Sequence, residues 1–390
     1  MTPIVVGYLL PDKVAAKLAG CLESDRHVQY TRLDPHRPLL EQGSMDVLLH
    51  KLAHEMTLGA REGAECGVVE RVRDFLREHP NVAAVDSLDA AKRLSDRLAT
   101  CLTLHAAAER GLRISQPRFA FVADTRYLAA EVRAAGLRHP IIAKPLVACG
   151  RAETHTMCVL ASEEQRLDAL ESLPRAVLVQ ELVAHGGVVI KCYAVGRAVH
   201  ATTRRSLPDM RLNGNTGRGV LVFDSQQPLP TAADWGVAAE LGAAELAECC
   251  GRRAAEAERE AELIGARTLE RVGLRALRWL AEAISDAFGG LRLFGFDVIV
   301  ESASGRLLVV DVNSLPFGSH SFPGLCGALK AALVDAHERH QLHRLLRERW
   351  AAALQAAGQS APGVDNVRRG RDEAAVLMAS VAPSARASGV

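Results

Sequence analysis

At the start of the chain, the apolar positions form short runs of β-branched and aliphatic residues. The segments between these runs have fewer and differently spaced apolar positions. Residues 4–10, 28–33 and 45–50 are such runs, and the apolar positions of residues 14–22 recur with a helical period. Runs of this length predict strands. Their alternation with a helix predicts a small α/β unit with a parallel sheet.

The rest of the chain continues this mixture of strands and helices. We predict helices over residues 63–78, 90–109, 126–135, 274–288, 325–334 and 340–354, and strands over 81–85, 119–122, 140–144, 177–182, 188–195 and from 198 onward. An Ala-, Glu- and Arg-rich stretch over 232–278 predicts a long charged helix, whose first part, about 232–267, we interpret as a solvated insertion. Gly, Ser, Pro and Ala dominate from residue 358, so we predict a disordered tail over 357–390.

Two apolar runs late in the chain, residues 294–300 and 307–312, flank the sequence Ser302-Ala303-Ser304-Gly305. Strand-forming residues on both sides of a glycine-containing gap predict a β-hairpin. A three-residue loop with Gly305 in the left-handed conformation would pair Ser302 with Arg306.

Counting outward from this loop places Asp297 opposite Asp311 and Gly295 opposite Asn313. Residues two apart share a face of a strand, so Asp297, Asp311 and Asn313 would converge on one side of the sheet. Two opposed carboxylates repel unless a cation lies between them, and oxygen ligands of this kind suit Mg²⁺. The pattern therefore predicts a magnesium site; the alternative is a hairpin whose acidic side chains point into solvent. A four-residue loop would put the two aspartates on opposite faces, so the prediction depends on the turn.

Composition narrows the class of protein. The 390 residues suffice for two or three domains, and a net charge of +1 indicates neither nucleic acid nor a membrane surface as a partner. No apolar run is long enough to span a membrane, and the N-terminal residues lack the basic region of a signal peptide. Nine cysteines are scattered without a C-x-x-C pair, which favours reduced thiols in a cytoplasmic protein over a disulfide scaffold or a zinc site.

Basic residues near strand ends are further candidate ligands. Lys51 follows the third strand, at the edge of a parallel sheet where ligands gather, and is either a surface lysine or an anion ligand. Lys144 lies inside an apolar run, where an ammonium group is costly unless it is paired or bound to phosphate. The loop 148–155 either wraps phosphate groups with its backbone N–H groups or is an ordinary hairpin loop.

Seven blocks of sequence, in this order, resemble the inositol-tetrakisphosphate 1-kinase family, also called inositol 1,3,4-trisphosphate 5/6-kinases. The blocks are VGYLL (6–10), RPLLEQGSMDVLLHKL (37–52), LSDRL (94–98), IIAKP (141–145), LVQELVAHGGVVIKCYAVG (178–196), RRSLP (204–208) and the hairpin LFGFDVIV with VVDVNSLP. The resemblance covers most of residues 4–330 and implies an ATP-grasp fold of the α/β (α+β) class. It implies a Rossmann-like α/β domain over 1–92 that binds inositol phosphate, a central domain over 93–182 and a C-terminal antiparallel-sheet domain over 183–356.

The resemblance also implies the activity and the residues that carry it. It implies a kinase that phosphorylates hydroxyl groups of inositol tris- and tetrakisphosphates, with ATP as co-substrate and two Mg²⁺ ions. We expect this kinase to be a monomer in the cytoplasm. The positions that match ATP ligands are Arg97, Lys144, Gln180, Glu181, Leu182, Lys191, Ser206 and Ser225. Those that match ligands of the inositol phosphate are Lys13, Lys51, His155, Lys191, Asn313 and Gly318. Asp297, Asp311 and Asn313 match the Mg²⁺ ligands, and Lys144, Lys191 and His155 match catalytic positions.

Two regions depart from the family pattern. The family loop after the ATP lysine reads AHGxxxH, whereas this chain has Ala148-Cys149-Gly150 and places His155 one residue late. Cys149 cannot supply the charge-assisted hydrogen bond of a histidine, so we expect weaker substrate binding or an altered positional preference. His155 is then either a substrate ligand or a loop histidine, and near the N-terminus Val14 is an alternative to Lys13.

Two other functions fit parts of the pattern. An ATP-grasp carboxylate–amine ligase would use the same hairpin and lysine to make an acyl-phosphate, but the His50-Lys51 pair and the short N-terminal unit favour the kinase. A catalytically weak inositol phosphate binder is the second alternative, and the retained metal ligands and Lys144 count against it. The sequence specifies neither the hydroxyl nor the isomer that is phosphorylated, and assigns no role to the insertion.

Overall fold

A computed structural model describes residues 2–62, 66–148, 152–163, 172–209, 220–231, 243–314 and 322–356. The chain divides into two compact units, residues 1–337 and 338–390. In the second unit the described residues, 338–356, are helical. The predicted tail 357–390, Cys149 and Gly318 lie outside the described residues.

Three sheets and eight α-helices form the described part of the chain. The strands are β1 (Ile4–Leu9), β2 (Val28–Arg32), β3 (Val47–His50), β4 (Ala83–Val85), β5 (Phe119–Val122), β6 (Ile141–Pro145), β7 (Thr156–Leu160), β8 (Val177–Glu181), β9 (Val188–Val195), β10 (Ala198–Arg205), β11 (Val220–Asp224), β12 (Leu293–Val300) and β13 (Leu307–Ser314). The helices are α1 (Asp12–Lys17), α2 (Ala53–Glu62), α3 (Gly67–Glu78), α4 (Leu88–Leu94), α5 (Arg97–Glu109), α6 (Leu128–Ala134), α7 (Ala243–Ala287) and α8 (Leu325–Ala356).

The first sheet is parallel, with strand order β2-β1-β3-β4. Strand β3 is buried along its whole length, with Val47 and Leu49 in the core on one face and Leu48 in the core on the other. A strand covered on both faces is a continuous apolar run, which explains why it could be found from sequence. The predicted parallel α/β unit is confirmed, although the pattern gave no indication of α2.

The second sheet is antiparallel, with strand order β11-β7-β6-β8-β5. Leu128 and Val132 of α6 pack with the strands in one of its two cores. Neither β7 nor β11 was predicted. Because β11 pairs with β7, this sheet includes residues beyond 182 and is not built from residues 93–182 alone.

The third sheet has strand order β10-β9-β12-β13, again antiparallel. Leu277 and Ile284 of α7 pack on one face against Ile190 and Phe296. Alternate residues of the same strands point to the other face. We call these the helix face and the open face; Lys191 and Asp297, each one residue from a core position, belong to the open face.

The hairpin β12–β13 contradicts the predicted turn but keeps the predicted pairing. Glu301 and Arg306 bracket the loop, since Glu301 N donates to Arg306 O at 2.9 Å, so the loop has four residues rather than three. A register shift follows between Asp297 and Val298: Val298 pairs with Val309, whereas Asp297 pairs with Asp311. Val310 is therefore an extra residue in a β-bulge, which moves the following residues by one position. The predicted pairs survive because the bulge offsets the longer loop.

Two helical predictions are wrong in detail. The predicted helix 90–109 is broken into α4 and α5, because Asp96 caps α5 by accepting a hydrogen bond from Ala99 N at 2.9 Å. The helices predicted over 325–334 and 340–354 are one helix, α8.

The insertion is also less solvated than predicted. Ala261 of α7 is buried, and Gly265 packs so closely on β10 that a Cβ atom there would lie 2.7 Å from Thr203 Cβ. Helix α7 changes direction at Gly273, whose φ of 72° is non-helical.

The prediction that the cysteines are reduced is wrong for one pair. Cys21 and Cys326 form a disulfide that links the turn after α1 to the first turn of α8. Cys66, Cys101, Cys158 and Cys192 are free. Spacing along the chain could not reveal a pair separated by 305 residues. Among the described residues, no helix is both long and apolar enough to cross a membrane.

Candidate active site

The open face of the third sheet brings three of the predicted site residues into one row. Lys191 pairs with Asp297 across β9 and β12, and Asp297 pairs with Asp311 across β12 and β13. The Nζ atom of Lys191 lies 2.6 and 2.8 Å from the two carboxylate oxygens of Asp297. Burial raises the pKa of Asp297, and the lysine opposes that shift.

Asn313 completes this group from the next position on the open face of β13. Its Nδ2 atom donates to Asp311 Oδ2 at 3.0 Å, so its carbonyl oxygen is directed away from that hydrogen bond. Among the described residues, no cluster of three or more His, Cys, Asp and Glu side chains is placed to hold a metal ion. A metal here would therefore depend on an amide as its third ligand. Two carboxylates and an amide oxygen are hard donors that fit Mg²⁺.

Lys144 lies across from this group, on β6 of the second sheet. Its Nζ atom donates to Gln180 Oε1 at 2.6 Å, and Gln180 Nε2 contacts the Cys101 sulfur at 3.5 Å. Burial lowers the pKa of Lys144, while the negative charge of Asp311 opposes the shift. Gln180 thus supplies the partner that a lysine inside an apolar strand needs.

Arg97 is held at the first position of α5 and is buried. Its Nη1 atom donates to the carbonyl oxygens of Pro145 and Val147 at 2.8 and 2.7 Å. These bonds fix the segment that follows Lys144. One nitrogen of the guanidinium, Nη1, is therefore bound to backbone, which is a structural role that the sequence did not indicate.

A narrow cavity joins the two halves of the site. It is lined by Arg97, Lys144 and Gln180 from one side and by Asp311 of β13 from the other. Its lining shows that the predicted ATP lysine and a predicted Mg²⁺ ligand face the same space, although they belong to different sheets and are separated by 167 positions in the sequence.

Glu181 and Leu182, the predicted adenine segment, are anchored by their neighbours. The Glu181 carboxylate accepts from Arg138 N at 2.9 Å and lies 3.6 Å from the Arg118 guanidinium. The backbone N–H groups of Glu181 and Leu182 donate to Arg118 O and Pro140 O. Only the carbonyl oxygens of these two residues remain as hydrogen-bonding groups for a nucleotide.

Ser206 and Ser225 each contact another residue near the site. Ser206 Oγ lies 2.9 Å from His185 Nε2, and Ser206 N donates to Gly187 O at 2.7 Å. Ser225 N donates to His155 O at 3.0 Å, which places two predicted ligands side by side. Burial lowers the pKa of His155, with Arg97 acting in the same direction, so the ring is held towards its neutral form.

The N-terminal sheet reaches the hairpin at Lys51. A cavity at the end of β3 is lined by Lys51, His50 and Asp86 together with Ser314, the residue after Asn313. Sequence reasoning missed Asp86, whose carboxylate accepts from the N–H groups of Arg292 and Leu293 at 2.7 and 3.1 Å. An aspartate directly after a strand was the available signal. Asp86 ties the first sheet to the start of β12.

Of the remaining predicted substrate ligands, Lys13 and Gly318, the first does not line the cavities described above. Lys13 is exposed on α1, which follows β1 at the same edge of the first sheet as Lys51. Gly318 lies outside the described residues.

Comparison with known proteins identifies the class to which this arrangement belongs. The structure of D-alanine–D-alanine ligase from Bacillus anthracis in complex with ATP superposes with a TM-score of 0.50 at 12% sequence identity, covering 88% of this chain and 100% of that one. At this identity the likeness concerns the fold alone, which is the ATP-grasp fold. The predicted fold class is confirmed.

The family follows from the sequence comparison. The inositol 1,3,4-trisphosphate 5/6-kinase pre-ATP-grasp domain matches residues 5–91, and the ATP-grasp domain of the same family matches residues 108–333. This chain belongs to the inositol 1,3,4-trisphosphate 5/6-kinase family. Inositol-tetrakisphosphate 1-kinase 1 of Arabidopsis thaliana is 30% identical over 324 residues, covering 80% of this chain and 89% of the relative. Inositol-tetrakisphosphate 1-kinase 5 of Oryza sativa subsp. japonica is 32% identical over 335 residues, covering 82% and 86%.

Proposed function

We propose that this chain is an ATP-dependent kinase that transfers the γ-phosphoryl group to a hydroxyl of inositol tris- and tetrakisphosphates. The observation that carries the proposal is the convergence of Lys144 with Asp311 on one cavity, and of Lys51 with the end of β13 on another. The residues predicted to bind the nucleotide and the acceptor therefore flank the same hairpin. Family membership is the independent support.

Charge neutralisation and positioning account for the chemistry. Phosphoryl transfer passes through a loose transition state whose negative charge lies on the γ-phosphoryl oxygens. Asp297, Asp311 and Asn313 would hold Mg²⁺, which supplies charge neutralisation at the phosphates. Lys144 would bind the α- and β-phosphates, while Lys51 and Lys191 hold the inositol phosphate so that one hydroxyl is directed at the γ-phosphorus. Lys191 is paired with Asp297, so binding of a metal and a substrate would separate these two side chains.

The finer assignments belong to the same proposal. We assign two Mg²⁺ ions, a monomeric state and a cytoplasmic location, with Arg97, Gln180, Glu181, Leu182, Ser206 and Ser225 as ATP ligands; of the predicted domains, the central one also includes β11. Lys13, His155, Asn313 and Gly318 complete the set around the inositol phosphate. The bonds from Arg97 Nη1 to backbone carbonyl oxygens, and those of the Glu181 carboxylate with Arg138 and Arg118, support a further role for both residues in positioning the site.

Substrate kinetics of a Lys51→Ala variant test the proposal. We expect the wild type to release ADP in the presence of an inositol tetrakisphosphate. In the variant, the KM for the inositol phosphate should rise at least about tenfold, because a charge-assisted contact to phosphate is lost. The KM for ATP should be nearly unchanged. Lys17→Ala, on the exposed α1 helix, is the matched control. A defect confined to ATP would move Lys51 to the nucleotide side. Product formation with an amino acid and no inositol phosphate would favour the ligase alternative.

A further inference from the structure

A roomy cavity lies on the helix face of the third sheet, away from Asp297 and Asp311. It has a volume of about 400 Å³ and is lined by residues 264–271 of α7, by His185 and Gly186, and by the hairpin tip from Val300 to Gly305. Val300 belongs to the core under α7, whereas Asp297 is on the open face. The cavity therefore lies on the other side of the third sheet from Asp297 and Asp311, and it borders the predicted ATP ligand Ser206 through His185. Its volume is in the range of small-molecule sites.

Two arginines give this cavity its chemical character. Arg267 and Arg271 are four residues apart on a regular part of α7 and so lie on the same side of the helix. In the part of the chain that the structure describes, neither arginine has an ion-pair or hydrogen-bond partner. Two guanidinium groups one helical turn apart repel each other by a small amount, and each carries N–H donors; both side chains are exposed.

The other polar groups of the wall are already satisfied. Glu301 supplies a carboxylate to the lining, but it accepts from Arg306 Nε at 3.1 Å and from Ser304. His185 uses both ring nitrogens, on Val183 O at 2.7 Å and on Ser206 Oγ at 2.9 Å. The positive charge of the two arginines therefore has no compensating acid among the cavity residues other than this already paired glutamate.

We propose that this cavity is an accessory binding site for a phosphorylated small molecule, with Arg267 and Arg271 as the phosphate ligands. Guanidinium pairs bind phosphate oxygens through parallel charge-assisted hydrogen bonds. Ile264 and Val300 supply an apolar wall for the carbon skeleton of the ligand. A hydrophobic wall with a few convergent polar groups is the usual composition of such a site. The site does not depend on the kinase assignment.

Calorimetric titration with inorganic pyrophosphate in EDTA tests the proposal on the full-length chain. The candidate active site also binds anions, so the test is the difference between variants. We expect the double variant Arg267→Gln/Arg271→Gln to lose one equivalent of pyrophosphate binding, or to bind that equivalent at least about tenfold more weakly, while the remaining binding is unchanged.

A matched pair on the same helix separates site-specific binding from general loss of charge. Arg275→Gln/Arg278→Gln removes two exposed positive charges outside the cavity, and we expect wild-type stoichiometry from it. Turnover without pyrophosphate should stay within about twofold of wild type in both double variants, which shows that each is folded. The proposal is overturned if the two double variants and the wild type bind pyrophosphate with equal stoichiometry and affinity.

Discussion

At the scale of single residues, the candidate site consists of charged groups that hold one another in place. Lys191 is paired with Asp297, Lys144 with Gln180, and Asn313 with Asp311. Each of these partners satisfies a charge or dipole that burial would otherwise make costly. The groups that would bind phosphate or metal are thus positioned before any ligand arrives.

Asp311→Asn should reduce turnover by on the order of 100-fold or more, because it removes an ionised metal ligand and keeps the shape of the side chain. Thermal unfolding should change little, since the amide can still accept from Asn313. The measurement is kcat together with the unfolding temperature. Asp74→Asn, on the exposed surface of α3, is the control with the same chemical change. Near-normal turnover in Asp311→Asn would overturn the metal assignment.

His50 gives stability a dependence on pH. Burial lowers the pKa of His50 to about 4, and its Nδ1 atom has no hydrogen-bond partner in the structure. Between pH 6.5 and 4 the unfolded chain takes up a proton at this position and the folded chain does not. The folded state therefore loses stability as the pH falls through this window.

His50→Gln should remove this loss. We expect the free energy of unfolding of the wild type, minus that of the variant, to be smaller at pH 4.5 than at pH 7 by up to about 2–3 kcal/mol. Asp86, whose pKa is raised to about 6 by burial, acts in the opposite direction but is present in both proteins. Urea titrations at the two pH values measure the difference. A difference independent of pH would show that the pKa of His50 is the same in the folded and the unfolded chain.

At the scale of secondary-structure elements, α7 is joined to β10 by a close backbone approach. Gly265→Ala should destabilise the protein by about 1–3 kcal/mol, because the new Cβ atom would overlap Thr203. Helix propensity alone would predict a gain of up to about 1 kcal/mol from the same change. Denaturant unfolding decides which effect is larger.

Gly327→Ala is the matched substitution for this experiment. Gly327 lies in α8, and a Cβ atom there would meet nothing within 4 Å. The same chemical change should therefore stabilise the protein slightly at this position. A gain of stability in both variants would contradict the close packing of α7 on β10.

The elements also show what sequence can and cannot provide. Strand β3 was found because its apolar run is continuous, β9 because only Lys191 interrupts its apolar run, and the hairpin because Gly305 marks its turn. The bulge at Val310 has no sequence signal, since Val310 is as apolar as its neighbours. The break before Arg97 was missed because Asp96 lies in a segment that otherwise has helical character, and only the capping hydrogen bond shows that a new helix begins there.

At the scale of the whole molecule, the family resemblance identified more of the site residues than the local sequence pattern could. Each of the three sheets contributes one such residue: Lys51 follows a strand of the first sheet, Lys144 lies in the second and Asp311 in the third. No periodicity along the chain relates these positions. The order of motifs supplied that relation. The disulfide between Cys21 and Cys326 was missed because it depends on the path of the chain through the folded unit rather than on local spacing.

Loss of this disulfide should lower stability. A cross-link over a long loop restricts the unfolded chain, and typical contributions are roughly 2–4 kcal/mol. Cys326→Ser should therefore lower the unfolding temperature under oxidising conditions, and reductant should lower that of the wild type to a similar value. Cys66→Ser, at a free cysteine, is the control. A peptide map without reductant that lacks the Cys21–Cys326 link would contradict the prediction.

The bulge at Val310 has a consequence for how such hairpins vary among related chains. In a regular hairpin, adding one residue to the turn reverses the parity of every position beyond it, so an active-site pair would be lost. Here the odd residue is absorbed halfway along β13, so the pairing of the two aspartates depends on the turn and the bulge together. A relative with a turn one residue shorter keeps both aspartates on the same face if it also lacks the bulge residue. When such sequences are aligned, a gap in the turn therefore calls for a second gap at position 310.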